Sequence, residues 1–400
     1  MKRRQCKLFV HEEIIIDILN RLPLKSLARF KCISENWRKY IAEIYRCHLG
    51  WPQPYLIGFF CAESGHNSSK SHFFFSSKES PLLIGTSLDH SFKFIGERVC
   101  VVASSNGFLL CNKLQCRQRV YYVYNPVTRQ RLDLSKTRIS MNEPYVGFSC
   151  KVDEDGSVLF TIVRYAIPTM SWDLLTVESF SSETNVWTAI TLILDVPLLL
   201  CPSWWDRTSS SSTSVVDRVF CWLNYGLITV YDSAKMCFWA LKLPNQRTVV
   251  DSCSRCLGLS GGELCFAYVW KTTITCWRLS NFPSPDNAKW VWKYVVNVAI
   301  VIAKCPEDFG VVDNNTNVHN IVFHPALPHI LYLQIRGKVV SYDMKTSTAE
   351  LVCDFGEAWR KTKDYKLFSY DWPQWPLSSV DYPTGVFLFV LLLIPTFLLI

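Results

Sequence analysis

Two patterns of hydrophobic and polar residues divide this chain. Between residues 11 and 41, apolar residues recur at spacings of three and four, which predicts amphipathic helices. After residue 55 they form short runs separated by polar turns, which is typical of many short strands. The sequence therefore predicts a helical domain over residues 8–48, a mostly-β domain over residues 55–375 and an apolar tail over residues 386–400.

The first predicted helix rests on a single apolar stripe. The members of that stripe are Ile14, Ile15, Ile18, Leu19 and Leu22. Pro23 ends the helix, since proline lacks the backbone N–H that a helix interior needs. Leu27 and Phe30 give an apolar edge to a second short helix, and Ser34 can cap a third helix that carries Trp37. Three such helices bury little, so their remaining apolar surface is a candidate docking face.

The order helix, Leu-Pro, helix, helix, Trp resembles an F-box. The residues in the matching places are Ile14, Ile18, Leu19, Leu22, Pro23, Leu27, Phe30, Ile33 and Trp37. The resemblance implies that this domain binds a Skp-type adaptor, and through it a cullin. The adaptor-binding residues that it implies are Ile14, Ile18, Leu22, Pro23, Leu27, Ile33 and Trp37. The alternative is an amphipathic helical hairpin that packs on the rest of the chain.

The β domain is predicted from apolar runs between turn-forming residues. These runs are Val99–Ala103, Phe108–Cys111, Val120–Tyr124, Val158–Tyr165, Val219–Leu223, Leu227–Tyr231, Leu264–Trp270, Ile274–Leu279 and Ile330–Ile335. Gly107, Gly226 and Gly262 allow a positive φ where strands reverse. The runs fall into loosely repeating units of roughly 45 to 50 residues, which suggests propeller blades. One or two generic β-sandwiches are the alternative.

Six phrases within about residues 95–355 carry a second resemblance. They are SNGFLLC, YNPVTRQ, FSSETNVW, SGGELCF, FHPALPHILYL and VVSYDMKT. They resemble the F-box-associated region of plant F-box proteins, which is related to kelch-type propellers, and Gly261-Gly262 resembles the kelch double glycine. The two resemblances together imply an α+β multidomain chain, in which a small three-helix F-box precedes a mostly-β, propeller-like domain.

A propeller would place its target site on one face, among the loops. Trp204 and Trp205 lie with the run Ser209–Ser214 in the longest polar connection, and exposed aromatic pairs beside loops are suitable anchors. We therefore predict Trp204 and Trp205 as substrate-binding residues. A disordered insertion is the alternative.

Composition bears on the kind of partner. Residues 1–50 hold eleven Lys or Arg and five Asp or Glu, so they contribute 11 − 5 = +6 of the net charge of +8. Because base-stacking aromatics on a basic face are missing from the pattern, we expect no nucleic-acid partner. The 17 cysteines are irregularly spaced and follow no signal peptide, which indicates buried thiols in a reducing compartment. Cys253 and Cys256 form one isolated CxxC, so no metal is predicted.

No phosphate-binding glycine loop, G-x-S-x-G elbow or HExxH motif occurs in the sequence, so we predict no catalytic residue and no cofactor. The expected function is the substrate-recognition subunit of an SCF-type (Skp, cullin, F-box) ubiquitin ligase, with an unidentified protein target. A propeller scaffold without ligase activity is the alternative.

The final run, Val386–Ile400, is the most apolar in the chain. A helix of that length spans about 22 Å, short of the roughly 30 Å of a bilayer core, and Pro395 interrupts it. A membrane anchor, a buried final segment and an extension produced by an altered reading frame after residue 376 all stay open. We expect a cytoplasmic or nuclear protein, with membrane association through residues 386–400 as a further option.

Overall fold

The computed structural model describes most of the β domain and parts of the N-terminal region. The described residues are 12–22, 30, 36–37, 40–41, 56–63, 71–75, 99–115, 118–126, 130–141, 144–152, 158–166, 174–194, 213–216, 218–224, 226–245, 254–284, 287–306, 309, 318–355 and 365–371. The apolar run 386–400 lies outside them, as do Trp204, Trp205, Pro23, Leu27 and Ile33.

The described part of the chain contains two helices, α1 (Glu12–Asn20) and α2 (Val298–Lys304). The predicted α+β class is therefore wrong, because nearly all of the regular structure is β-sheet. The predicted three-helix F-box is also wrong: within residues 11–48, α1 is the one continuous helix that is described. Of the predicted second and third helices, only Phe30, Asn36, Trp37, Tyr40 and Ile41 are among the described residues.

Twenty strands form five four-stranded antiparallel sheets, each built from consecutive strands. Blade 1 contains β3 (Val99–Ser105), β4 (Phe108–Gln115), β5 (Gln118–Asn125) and β6 (Gln130–Asp133). Blade 2 contains β7 (Tyr145–Val152), β8 (Val158–Tyr165), β9 (Leu174–Ser181) and β10 (Val186–Ile193). Blade 3 contains β11 (Thr213–Val216), β12 (Val219–Asn224), β13 (Leu227–Asp232) and β14 (Cys237–Lys242).

The remaining strands complete the set. Blade 4 contains β15 (Ser254–Ser260), β16 (Glu263–Trp270), β17 (Thr273–Ser280) and β18 (Lys289–Asn297). Blade 5 contains β19 (Val318–Phe323), β20 (Ile330–Ile335), β21 (Lys338–Asp343) and β22 (Thr348–Asp354). A three-stranded closing sheet joins β1 (Leu56–Glu63) and β2 (Ser71–Phe75) to β23 (Tyr365–Asp371). All nine runs predicted as strands lie within strands.

The sheets form a closed ring, which is the architecture of a β-propeller. The first strands of the five blades and β23 contact one another in the order β3, β7, β11, β15, β19, β23 and back to β3. Closure depends on β1 and β23, which pair antiparallel although about 300 residues separate them. At the junction with blade 1, the Tyr370 hydroxyl donates a hydrogen bond to the Gly107 carbonyl at 3.1 Å. This ring excludes the sandwich alternative.

The core lies between neighbouring blades rather than in one central cluster. The blade 1–blade 2 interface buries Phe108, Phe148, Phe180 and Trp187, and the next interface buries Tyr165 and Trp222. The interface between blades 4 and 5 is mostly aliphatic and also covers α2 through Val301. Each blade buries both of its faces, so large apolar side chains are needed in every blade. The spread of aromatic residues, 14% of the chain, agrees with this.

The residues at the strand turns have the backbone conformations that the sequence predicts. Gly107, Gly226 and Gly262 have φ values of 77°, 76° and 79°, as predicted for strand reversals. Two outer hairpins share another device: Asp232 and Asp343 each accept two backbone hydrogen bonds from the turn that follows. These carboxylates satisfy turn N–H groups that would otherwise lack a partner.

Candidate functional site

Helix α1 divides the predicted apolar stripe between two faces. Leu19 is fully buried beside Ile41, and Ile15 packs against the same small cluster. Ile14 and Ile18 point away from that cluster and are 54% and 50% exposed. Since they are four residues apart, they lie next to each other on one side of the helix. The helix thus presents an apolar pair to solvent while its other face is packed.

Two polar contacts involve residues at the start and end of α1. Asp17 and Arg21 form an ion pair at 2.8 Å along the helix. The Tyr40 hydroxyl donates a hydrogen bond to the Glu12 carboxylate, which raises the pKa of Tyr40 above its usual value. Glu12 thereby connects the start of α1 to a residue 28 positions later.

The predicted adaptor-binding residues therefore fall into three groups. Ile14 and Ile18 are exposed, whereas Leu22 and Trp37 are half-buried and belong to the inward cluster. The Trp37 ring packs edge-on against Phe30, with centroids 5.5 Å apart. Pro23, Leu27 and Ile33 lie outside the described residues. The roles assigned to these seven residues remain predictions.

At one end of the ring, which we call the entry face, the chain passes from the outer strand of one blade to the first strand of the next. In an antiparallel four-stranded blade, the middle hairpin lies at that same end. In blade 4, a hydrogen bond joins the connection to the next blade with the middle hairpin: the Val298 N–H donates to the Thr272 carbonyl at 2.8 Å. In blade 5, the Arg336 guanidinium donates to the Phe309 carbonyl at 2.7 Å.

The predicted target-binding pair falls in a connection that lies mostly outside the described residues. Trp204 and Trp205 lie between β10 and β11, and the serine run ends inside β11, whose first residues are Thr213 and Ser214. The prediction that the whole run Ser209–Ser214 is loop is therefore corrected. Because the two tryptophans lie outside the described residues, their role remains a prediction.

A buried ion pair fixes another connection, residues 134–139 between β6 and β7. Arg164 and Glu178 are 2% and 0% exposed, and Arg164 Nε lies 2.8 Å from Glu178 Oε2. Glu178 Oε1 also accepts a hydrogen bond from the Arg138 backbone N–H at 2.6 Å, and Arg164 donates to the Ile139 carbonyl. Trp187 completes the arrangement by donating its indole N–H to the Ser135 carbonyl at 2.8 Å.

Arg164 and Glu178 are not among the site residues predicted from the sequence. A signal was present, because each is the one charged residue in an otherwise apolar or neutral strand, VLFTIVRY and LLTVESFS. A buried charge needs a partner. The ion pair therefore has a structural part in positioning the β6–β7 connection.

The buried cysteines and His324 of the described β domain stabilise the fold. No group of three or more His, Cys, Asp or Glu in the described residues could hold a metal ion. Burial raises the pKa of the Cys111, Cys256 and Cys265 thiols to about 12, which keeps them protonated. Burial lowers the pKa of His324 to about 4, and its Nδ1 accepts hydrogen bonds from two backbone N–H groups. His324 thus stabilises a turn.

The ring of blades behind an N-terminal helix with an exposed apolar pair is the arrangement of a β-propeller protein with an F-box. Residues 11–48 match the F-box domain, and residues 78–374 match the family described as "F-box protein At3g26010-like, beta-propeller". The chain belongs to that family. This combination of domains indicates a substrate-recognition adaptor.

Curated relatives with the same organisation cover most of the chain. "F-box protein At5g03970" from Arabidopsis thaliana is 24% identical over 91% of this chain and 89% of its own length. "Putative F-box/kelch-repeat protein At1g15680", also from Arabidopsis thaliana, is 25% identical over 84% of this chain and 81% of its own length. Among solved structures, TolB from Acinetobacter baumannii covers 84% of the chain at 10% identity with a TM-score of 0.38, too low to support an argument.

Proposed function

We propose that this protein is the target-binding subunit of an SCF-type ubiquitin ligase. In this proposal residues 8–48 dock on a Skp-type adaptor, which links the chain to a cullin, and residues 55–375 hold a protein target. The protein itself is non-catalytic. It accelerates ubiquitin transfer by raising the local concentration of target lysines near the loaded enzyme.

The observation that carries the proposal is the exposed pair Ile14 and Ile18 within the region that matches an F-box. Their exposed fractions are 54% and 50%, although both side chains are apolar. Apolar side chains that lie outside a packed cluster and next to each other are favourable contacts for a partner protein. Burying the pair on binding contributes roughly 1–3 kcal/mol at about 25 cal/mol per Å².

The propeller is proposed to bind its target at the entry face. This face receives the long connections between blades, and loops on a rigid scaffold are the usual place for recognition. Trp204 and Trp205 are the proposed anchors there. The kelch-type character of the blades is part of this proposal, as is a cytoplasmic or nuclear location.

The test is a pull-down of the full-length chain with a purified Skp-type adaptor. Ile14→Ala with Ile18→Ala is expected to weaken adaptor binding strongly without unfolding, since neither residue packs in the cluster around Leu19. Glu13→Ala is the matched control, because Glu13 is an exposed residue of the same helix and is expected to leave binding unchanged. A second pair, Leu22→Ala with Pro23→Ala, tests the predicted turn after α1.

Each result has a definite meaning for the proposal. Loss of binding in the isoleucine pair, with retention in Glu13→Ala, supports docking through the exposed face of α1. If the wild-type chain itself does not bind the adaptor, the ligase role is refuted and a propeller scaffold becomes the better explanation.

A further inference from the structure

The outer edge of blade 4 carries an apolar surface that the function proposed above does not use. In β18, Val291, Trp292 and Val295 are 37%, 56% and 51% exposed, and Ile300 of α2 is 51% exposed. Trp292 is the one tryptophan among the exposed large apolar residues of the described chain. We call β18 together with α2 the blade 4 edge.

The β-sheet register places Trp292 on the same face of blade 4 as Trp290, directly before a bulge. Trp290 packs with Trp277 in the cluster between blades 3 and 4, and its indole N–H donates to the Lys242 carbonyl at 2.9 Å. Trp292 lies opposite Trp277, but the next aligned pair is Cys276 with Tyr294, so Lys293 forms a bulge. Before the bulge, Trp290 and Trp292 project from the face of blade 4 that looks toward blade 3; after it, Tyr294 and Val296 project toward blade 5. Trp292 lies outside the cluster that holds Trp290 and is exposed to solvent.

The backbone of the blade 4 edge can accept another strand. β18 pairs with β17 on one side, and within the described residues it is the last strand of its sheet. At nine residues, it is the longest strand that the structure describes. A free edge of this length has a row of backbone N–H and C=O groups that an extended peptide can pair with.

Charge indicates what kind of peptide fits. Lys289, Lys293 and Lys304 are exposed along the edge, and residues 288–305 contain no Asp or Glu. The outer strand of blade 2, β10, also exposes apolar residues, Val186 and Ile193, but it contains no charged residue. Glu263 of β16 is ion-paired with Arg278 of β17 at 2.6 Å, which leaves the lysines in excess. The blade 4 edge thus combines a free strand, an aromatic anchor and an excess of positive charge.

We propose that the blade 4 edge binds an extended segment of a partner protein in which apolar residues alternate with Asp or Glu. The segment adds as a strand beside β18. Its apolar side chains pack on Trp292 and Val295, and its carboxylates lie near Lys289 and Lys293. This interaction surface is separate from α1, so it does not depend on adaptor binding. It adjoins the entry face through α2, which lies in the connection from β18 to β19.

The test uses the full-length chain and a fluorescein-labelled synthetic peptide of alternating valine and glutamate, measured by fluorescence anisotropy. Binding is expected to exceed that of two comparison peptides. One has lysine at every glutamate position, which reverses the charge. The other has proline at alternate positions, which removes the N–H groups that a β-ladder needs.

Two variants of the chain test the named residues. Trp292→Thr keeps a strand-forming residue but removes the aromatic anchor, and it is expected to weaken binding about thirtyfold. Lys289→Glu with Lys293→Glu is expected to weaken binding of the valine-glutamate peptide about tenfold or more and to give binding of the valine-lysine peptide. Lys151→Glu with Lys345→Glu is the matched control, since both residues are exposed and lie on other blades.

The proposal is supported if the charge preference reverses in the blade 4 variant and persists in the control. It is overturned if both double variants behave alike, because binding would then reflect net charge alone. It is also overturned if the chain dimerises through this edge in sedimentation experiments, or if removing residues 386–400 increases peptide binding. Those two results would identify a second copy or the chain's own tail as the occupant.

Discussion

Removing both charges of the buried Arg164–Glu178 pair is expected to destabilise the propeller by less than the sum of the two single removals. Arg164→Met leaves the Glu178 carboxylate, which is 0% exposed, without its counter-charge. An unpaired buried charge costs about 3–5 kcal/mol. The same change removes the hydrogen bond from Arg164 to the Ile139 carbonyl, which adds roughly 1 kcal/mol. We therefore expect a loss of about 4–6 kcal/mol in the free energy of unfolding.

Glu178→Gln and the double substitution at Arg164 and Glu178 show whether the two charges are coupled. Glu178→Gln keeps an acceptor for the Arg138 N–H but leaves the Arg164 charge buried, so a loss of about 3–5 kcal/mol is expected. Arg164→Met with Glu178→Leu removes both charges. What remains is an Arg138 N–H and an Ile139 carbonyl without their present partners, which costs roughly 1–3 kcal/mol each. The double variant should consequently lose less than the two single variants added together.

Urea unfolding of the four proteins at neutral pH measures the effect. Tryptophan fluorescence is a suitable probe, because the Trp187 ring lies 5.4 Å from the Arg164 guanidinium. Circular dichroism must follow the same transition for the free energies to be comparable. Single variants that lose less than about 1 kcal/mol, or losses that simply add in the double variant, would refute the reasoning that this pair is coupled.

Three further predictions concern stability. Burial lowers the pKa of His324 to about 4, below the unfolded value of 6.5. The neutral imidazole therefore contributes up to about 3 kcal/mol of stability above pH 6.5, and this contribution is lost as the pH falls toward 4. Urea unfolding across this pH range should show a smaller loss of stability in His324→Asn than in the wild-type chain. Gly258→Ala places a methyl group 3.1 Å from Phe323 Cδ2, and thermal unfolding should reveal a loss of about 1–3 kcal/mol. Asp343→Ala removes two turn hydrogen bonds and should cost roughly 1–2 kcal/mol by chemical denaturation, while Asp343→Asn should cost less.

The strands of the propeller could be predicted because the information for them is local. Alternating apolar residues and turn-forming residues lie within each run of eight to fifteen positions, so Val158–Tyr165 and Ile330–Ile335 have the predicted bounds. Closure of the ring could not be predicted in this way. The pairing of β1 with β23 joins segments about 300 residues apart, and no local pattern in either strand specifies the other.

Helix α2 shows how a local pattern misleads. Its sequence, VAIVIAK, is rich in β-branched residues and is typical of a strand. It forms a helix because the Asn297 side chain accepts a hydrogen bond from the Ala299 N–H at 2.8 Å, and because Val298 and Val301 pack against the blade 4–blade 5 core. Tertiary packing thus overrides strand propensity at this position.

The candidate site on α1 was predicted only in part, because tertiary packing decides which side chains of the helix are exposed. A three- and four-residue spacing identifies the stripe of α1, but it does not say which members face the neighbouring segment. Leu19 and Ile15 turn toward Ile41, which leaves Ile14 and Ile18 in solvent. The charges of Arg164 and Glu178 were visible in the sequence, but their pairing requires the fold.

Two of the proposed binding surfaces, the exposed face of α1 and the blade 4 edge, can be tested without disturbing the fold, because their residues lie outside the core clusters. The interblade clusters contain neither Trp292 nor Val295, and the cluster around Leu19 contains neither Ile14 nor Ile18. Substituting such residues removes surface that a partner would bury but little that folding has buried. A loss of binding in these variants therefore reports on recognition, whereas a loss in variants of Arg164 would combine recognition with unfolding.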